Sequence, residues 1–241
     1  MLSNGYFVKP TRYIDSINCA IEGIIYAAKA EKHMRNHLIV ALLVLLSAML
    51  LKVSALEFTL LAISVSFVLF AEMINTSIEL LVDLLSPEYN TLARLAKDVA
   101  AGAVLLASIG AAVMGYLILS GYIFPIYKMT LGFMGTSSEI GTVVSLLIVV
   151  IVIVILKAIA GKGTPLRGGI LSGHSAIAFS IATIISMHTK DPVSSILTLV
   201  MALLVSSSRI DLRFHTFREV VLGGILGGTI TLGVFYLLER L

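Results

Sequence analysis

Tryptophan is absent, cysteine occurs once, proline five times, and only 13% of the residues are charged. Each shortage excludes something. A single cysteine, Cys19, rules out an intrachain disulfide framework. Without Trp, any aromatic belt at a membrane interface must come from Tyr. So few charges cannot clothe 241 residues in the polar surface of a soluble domain. A net charge of +3 supplies no strongly basic face, so no nucleic-acid partner is expected. The opening MLSNGYFVKPTRYIDS lacks the apolar core of a signal peptide.

What is present is long apolar sequence: 58% of the residues are hydrophobic and the mean hydropathy is +1.03. Apolar spans are expected near residues 36–52, 55–85 and 95–124, then 141–160, 174–188, 193–210 and 217–238. The run at 141–160 is rich in β-branched residues, yet an open strand leaves its backbone unsatisfied in lipid, so it too is predicted to be a helix. The expected fold is all-α: a polytopic membrane protein of about seven transmembrane helices, three before and four after a linker at 125–140. Residues 16–30 carry apolar residues at helical spacing, which predicts an amphipathic helix on the membrane surface. Domains are expected at 1–124 and 141–241. With the N-terminus cytoplasmic, 13 of the 17 Lys and Arg residues fall in inner segments and 4 in outer ones, which favours that orientation.

The stretch AEMINTSIELLVD sets Glu72, Asn75, Glu79 and Asp83 inside a span. Their spacings of three, four and four place them within roughly 80° of arc on a helix. A carboxylate buried in a span costs several kcal/mol unless it is paired, protonated or cation-bound. Lys97, Arg94, Arg12, Arg35 or a metal ion can answer that charge. A polar packing seam and an ion or proton path are the competing readings of the stripe alone.

The wider pattern narrows the choice. Glu31 and Arg35 precede the stripe, and Lys97-Asp98 follow it. This ordered set, over residues 12 to about 120, resembles the prokaryotic diacylglycerol kinase and undecaprenol kinase family of three-span lipid kinases. The resemblance implies that Glu72 is the catalytic base toward a lipid hydroxyl. It implies Glu31 and Glu79 as ligands of the Mg²⁺ that accompanies ATP. Arg12, Glu31, Asn75, Glu79, Asp83, Glu88, Tyr89, Asn90, Lys97 and Asp98 match positions that hold nucleotide or order the site. It also implies a homotrimer through this half. The chemistry is compatible: phosphoryl transfer needs cations about the γ-phosphate and a positioned base, and Mg²⁺ takes oxygen ligands. No GxxxxGK[ST] loop occurs, so side chains and metal must hold the phosphates.

In the second half, GKGTPLRGGILSGHS and SSSRIDLRFHTFREV interrupt apolar sequence. Each carries a basic residue, a Ser and a His. Read as chemistry, His174 and His215 make up a nucleophile and acid pair, the residues alone not saying which is which, with Glu219 orienting one imidazole. Lys162, Arg167 and Arg209, with backbone amides at Ser172 and Gly173, are the candidate phosphate ligands. These blocks resemble the type 2 phosphatidic acid phosphatase superfamily, whose signatures read roughly K-x6-R-P, P-S-G-H and S-R-x5-H-x3-D. Ser208-Arg209-x5-His215-x3-Glu219 fits the third, with Glu for Asp. Leu171-Ser172-Gly173-His174 fits the second, with Leu for Pro. The first fits poorly, because Lys162 and Arg167 stand too close and Gly168 follows where Pro belongs. The resemblance implies that His215 becomes phosphohistidine, that His174 protonates the leaving oxygen and that Glu219 positions His215, with no cofactor. His33, His37 and His188 receive no chemical role. Gly223-x-x-x-Gly227 reads as a helix-packing surface.

A kinase joined to a monophosphatase of the same lipid would run a futile cycle. An undecaprenol kinase joined to an undecaprenyl diphosphate phosphatase would instead yield one product, and this is the expected pair, in a bacterial inner membrane. The alternatives are a diacylglycerol kinase with a phosphatidate-type phosphatase, and an ion-transporting membrane protein. The span count places residues 164 and 189 on opposite sides. In a Cys19→Ser background, an impermeant thiol reagent applied to intact cells should label Thr189→Cys and spare Thr164→Cys. Labelling at position 164 would contradict the arrangement.

Overall fold

The computed structural model describes residues 13–124, 136–160, 169–238 and 240. Among these every regular element is an α-helix: α1 Tyr13–Ala30, α2 Lys32–Leu50, α3 Ala55–Leu85, α4 Thr91–Ile123, α5 Thr136–Ala160, α6 Gly173–Thr189, α7 Pro192–Asp211 and α8 Phe217–Leu238. Six of them, α2–α5, α7 and α8, are long and apolar enough to cross a membrane. The chain is a multi-pass membrane protein. α6 has 17 residues, roughly 25 Å at 1.5 Å per residue against a hydrocarbon core of about 30 Å. Ser175, Ser180 and Thr183 lower its hydropathy as well.

Local chemistry sets the helix ends. Ser54 and Glu57 form a reciprocal capping box that starts α3. Asn90 Oδ1 accepts from the Leu92 and Ala93 amides and starts α4. Asp191 caps α7 ahead of Pro192. The Ser194 amide hydrogen bond holds the Asp191 carboxyl below its ordinary range. α5 begins at Thr136, earlier than the expected 141. Polar residues and Glu139 occupy its first turn, where the helix dipole favours negative charge.

The chain divides into two compact units, Met1–Ile123 and Phe124–Leu241. In the first, α3 is the central helix, with α2 and α4 both packed on it. Val68, Ala71, Val104 and Ala107 pack at one level, and Ala48, Leu61 and Ile118 at another. Tyr122 donates to Glu57 Oε2 at 2.6 Å and ties the end of α4 to the start of α3. On α1 only Ala27 is buried, while Ile14, Ile17, Ile21, Ile24 and Ile25 are exposed.

In the second unit α6 packs against α5, α7 and α8. Its contact with α8 is backbone-close. A Cβ on Gly223 would overlap the Ser172 carbonyl, and one on Gly227 would overlap the Ala176 carbonyl. Ser180 and Thr231 share a hydrogen bond of 2.7 Å across the same seam. Small residues thus bring two helices together where apolar attraction offers little, because lipid is as apolar as Leu. Gly227→Ala should force the helices apart and cost about 1–3 kcal/mol. Gly228, whose added Cβ would meet only Thr183 Oγ1 at 3.7 Å, should tolerate Ala. Thermal unfolding in detergent checks this: a lower midpoint for Gly227→Ala alone is expected, and equal midpoints would contradict the packing argument.

Candidate functional site

The first unit buries its carboxylate stripe unevenly. Glu72 is 3% exposed and Asn75 9%, Glu79 is half-buried, and Asp83 is exposed. The stripe therefore runs from the bundle interior to its surface along α3. Asn75 Nδ2 donates to Glu79 Oε1 at 3.0 Å, which orients that carboxylate one turn on. Asn75 Oδ1 and Thr76 Oγ1 are buried without a hydrogen-bond partner, so acceptor and hydroxyl capacity remains beside Glu72. His37 Nε2 lies 3.8 Å from Glu72 Oε1. Glu31, Glu79 and His33 also lie within electrostatic reach of Glu72. Glu31 opens α2, and its side chain makes no capping hydrogen bond.

Farther along, Lys97 Nζ reaches Asp83 Oδ1 at 2.5 Å. Asp98, Glu88 and Tyr89 are exposed, and Tyr89 is 80% so. The Asn90 side-chain oxygen is committed to starting α4, an ordering role. Arg35 donates to the Ala28 and Lys29 carbonyls and closes the end of α1. Arg12 lies outside the described residues. His37, given no role from sequence, is the one basic side chain in salt-bridge range of Glu72 among the described residues. Its spacing of four from His33 was the available signal.

The described residues hold no cluster of three or more His, Cys, Asp or Glu able to bind a metal. Mg²⁺ does not require one, since it is usually held by one or two carboxylates, water and substrate phosphate. Glu31 and Glu79, which both act electrostatically on Glu72, are the carboxylates that could hold such an ion, and Asn75 Oδ1 is a further oxygen without a partner.

In the second unit the two motifs meet. A cavity of about 200 Å³ is lined by Lys157, Gly173, His174 and His215, with Val150, Ile153, Val154 and Ile177 as apolar walls. His215 is 6% exposed, and its Nδ1 lies 2.6 Å from Glu219 Oε2. The i,i+4 spacing on the turn into α8 produces that contact. The turn is held by Arg209, whose carbonyl accepts from both the Phe214 and His215 amides, and by Arg213 at φ 54°. The Arg209 side chain is half-buried, donates to Ser208 Oγ and sits 5.9 Å over the Phe214 ring. Arg209, Lys157 and His215 all act electrostatically on His174.

Ser172 does not present its amide to a phosphate. That N–H donates to the Glu219 carbonyl at 2.9 Å, and the fully buried side chain caps α6 through the Ser175 amide. Its work is to fasten the start of α6 to the start of α8. Gly173 and His174, in the first turn of α6, line the cavity with their dipole end toward it. Lys162 and Arg167 lie outside the described residues. Lys157 was missed. It stands on the last turn of α5, where a lone basic residue reads as an interfacial anchor.

Comparison with known proteins gives the same two parts. The prokaryotic diacylglycerol kinase family model matches residues 18–119, and the PAP2 superfamily model matches residues 159–241. A diacylglycerol kinase of Synechocystis sp. is 37% identical over 113 residues, 46% of this chain and 64% of the relative. An undecaprenol kinase of Bacillus subtilis is 33% identical over 107 residues, 44% of this chain and 87% of the relative. A diacylglycerol kinase of Escherichia coli is 34% identical over 109 residues, 45% of this chain and 89% of the relative. The chain therefore spans somewhat under two thirds of the Synechocystis protein and most of the other two. No solved structure gives a significant match. The chain belongs to the prokaryotic diacylglycerol kinase family and carries a PAP2 superfamily domain in its second half.

The Asp83–Lys97 pair allows stability to be separated from chemistry. Asp83 is largely exposed and Lys97 about one-third so. Such pairs contribute at most about 1 kcal/mol. Lys97→Met should leave the unfolding midpoint within a few degrees of wild type. A large drop would make the pair a structural element of the bundle.

Proposed function

We propose that the first half transfers the γ-phosphoryl group of ATP to a membrane lipid alcohol, undecaprenol, and that the second half removes the terminal phosphate of undecaprenyl diphosphate. The observation that carries this reading is the fusion itself. A lipid-kinase family unit and a phosphatase-superfamily unit on one chain oppose each other if they share a monophosphate. They cooperate if one builds that monophosphate and the other trims a diphosphate down to it.

In the kinase reaction the Glu72 carboxylate takes the proton of the lipid hydroxyl. The lipid oxygen bonds to the γ-phosphorus, the bond from that phosphorus to the bridging oxygen breaks, and ADP leaves. Burial of Glu72 excludes water that would compete for the phosphoryl group. His37 at 3.8 Å is placed to stabilise the carboxylate or to pass its proton on. Asn75 fixes the Glu79 carboxylate. Mg²⁺, held through Glu31 and Glu79, would neutralise phosphate charge. Arg12, Asp83, Glu88, Tyr89, Lys97 and Asp98 are assigned to nucleotide, with Asn90 ordering the loop. ATP on the substrate side requires the N-terminus to be cytoplasmic. A homotrimer through this unit and an interfacial position for α1 complete the reading.

In the phosphatase reaction His215 Nε2 attacks the terminal phosphorus while Glu219 holds Nδ1–H. The bond from phosphorus to the bridging oxygen breaks as His174 protonates that oxygen, and undecaprenyl phosphate departs. Water then attacks the phosphohistidine, releasing inorganic phosphate and restoring His215. Lys157 and Gly173 line the cavity beside His174 and His215, and Arg209 acts electrostatically on His174, which supports a phosphoryl group as its occupant. Lys162 and Arg167 are assigned to the phosphate as further cations. The apolar wall of Val150, Ile153, Val154 and Ile177 suits the first carbons of the lipid.

Separation of the two activities tests the reading. Glu72→Gln should reduce lipid phosphorylation by about 10²–10⁴-fold with ATP binding retained, and should leave the phosphatase active. His215→Ala should abolish phosphatase turnover and the acid-labile phosphoenzyme, with the kinase intact. Near-normal turnover in either variant would reassign its base or nucleophile.

A further inference from the structure

We propose that the wedge between α7 and α8 binds an anionic glycerophospholipid, with one acyl chain in the wedge, an ester carbonyl on the Ser206 hydroxyl and the phosphate on Arg213 and Arg218.

α7 and α8 each pack along α6 and only sparsely on each other. The turn between Asp211 and Phe217 joins them, so the space they leave is a wedge with that turn at its apex. Its volume is about 430 Å³, within the range of ligand pockets. Phe179 of α6 forms the floor, Leu203 and Ile210 one wall, and Val221 and Ile225 the other. Gly224 makes room for the Phe179 ring, which an added Cβ would approach to 2.9 Å. The wedge shares no lining residue with the cavity of His174 and His215. It is therefore a separate site, and it rests on neither activity.

A purely hydrocarbon occupant leaves one group unanswered. In the run Ser206-Ser207-Ser208, the Ser207 and Ser208 hydroxyls donate back to the Leu204 and Val205 carbonyls at 3.0 and 2.8 Å. Ser206 does not. It is 4% exposed and lines the wedge, and its Oγ has no hydrogen-bond partner. An unpaired hydroxyl in apolar surroundings is costly, and an ester carbonyl in the wedge removes that cost.

The apex supplies charge. Arg213 and Arg218 are exposed, and neither side chain has a hydrogen bond or ion pair among the described residues. Local structure favours neither of them. Arg213 holds φ 54°, a left-handed conformation that suits glycine. Arg218 stands in the first turn of α8, where the helix dipole disfavours a cation. Glu219 is engaged by His215, so Asp211 alone opposes the two arginines and the turn stays basic. A lipid phosphate answers that charge.

Spacing ties the hydroxyl to the arginines. From Ser206 to the end of α7 at Asp211 is roughly 7 Å at 1.5 Å per residue. A glycerophospholipid carries its ester carbonyls one glycerol unit inward of its phosphate, which suits that interval. A polyprenyl phosphate has no carbonyl to offer there, so the wedge selects a glycerolipid over the substrate proposed for the second unit.

Photolabelling of the purified full chain tests this without turnover. The probe is phosphatidylglycerol bearing a diazirine on one acyl chain, and the readout is adduct formation on peptides containing Leu203–Ile210 or Val221–Ile225. Unlabelled phosphatidylglycerol should compete better than phosphatidylcholine with the same chains. Arg213→Gln with Arg218→Gln should raise the half-saturating probe concentration about tenfold or more. Ser206→Ala, which removes one hydroxyl from the interior, should raise it roughly two- to tenfold. Adducts confined to other segments, equal competition by the two lipids, or unchanged labelling in the arginine double variant would overturn the proposal. Displacement of the probe by equimolar undecaprenyl diphosphate, with no effect of phosphatidylglycerol, would overturn it in favour of a substrate seat.

Discussion

An ionisable side chain inside an apolar span must be given a partner there, because no water is at hand to supply one. Both candidate sites are arrangements of such partners. Glu72 is answered by His37, and Glu79 by Asn75. His215 is answered by Glu219, whose own backbone carbonyl receives the Ser172 amide. Each partner also fixes a geometry, so the cost of burying polar groups is offset by contacts that orient the reactive ones. The outward faces can then remain apolar, as the exposed Ile63, Phe67, Leu105, Ile155 and Leu203 are.

The second unit carries that logic into its backbone. Gly223 and Gly227 let α8 approach α6 until carbonyls sit where side chains would stand. Only at that separation can the Ser172 amide reach Glu219 and the start of α6 meet the turn that carries His215. A packing motif, Gly223-x-x-x-Gly227, therefore follows the His215–Glu219 motif directly in sequence and sets its position. Glu in place of the family's Asp lengthens the carboxylate arm and still reaches His215 Nδ1 at 2.6 Å.

Much of this was legible beforehand. Periodicity identified the spans, and Ser54-x-x-Glu57 and Asp191-Pro192 mark helix starts that local rules predict. The stripe of Glu72, Asn75, Glu79 and Asp83 follows from helical spacing alone. What could not be read were contacts between elements. His37 faces Glu72 only because α2 packs on α3, and Lys157 lines the cavity of His174 and His215 only because α5 packs on α6. The Ser172 amide looked available because motif spacing says nothing about which backbone groups are already bonded. The early start of α5 reflects a polar first turn that composition had assigned to a linker.

The central claim is that the two halves deliver one product instead of undoing each other. The direct measurement supplies the purified full chain with γ-labelled ATP and undecaprenol, and in a parallel reaction with undecaprenyl diphosphate labelled on its terminal phosphate. The account predicts labelled undecaprenyl phosphate that persists in the first reaction, and labelled inorganic phosphate with the same lipid product in the second. Release of labelled inorganic phosphate from the kinase product, with regeneration of the alcohol, would contradict it.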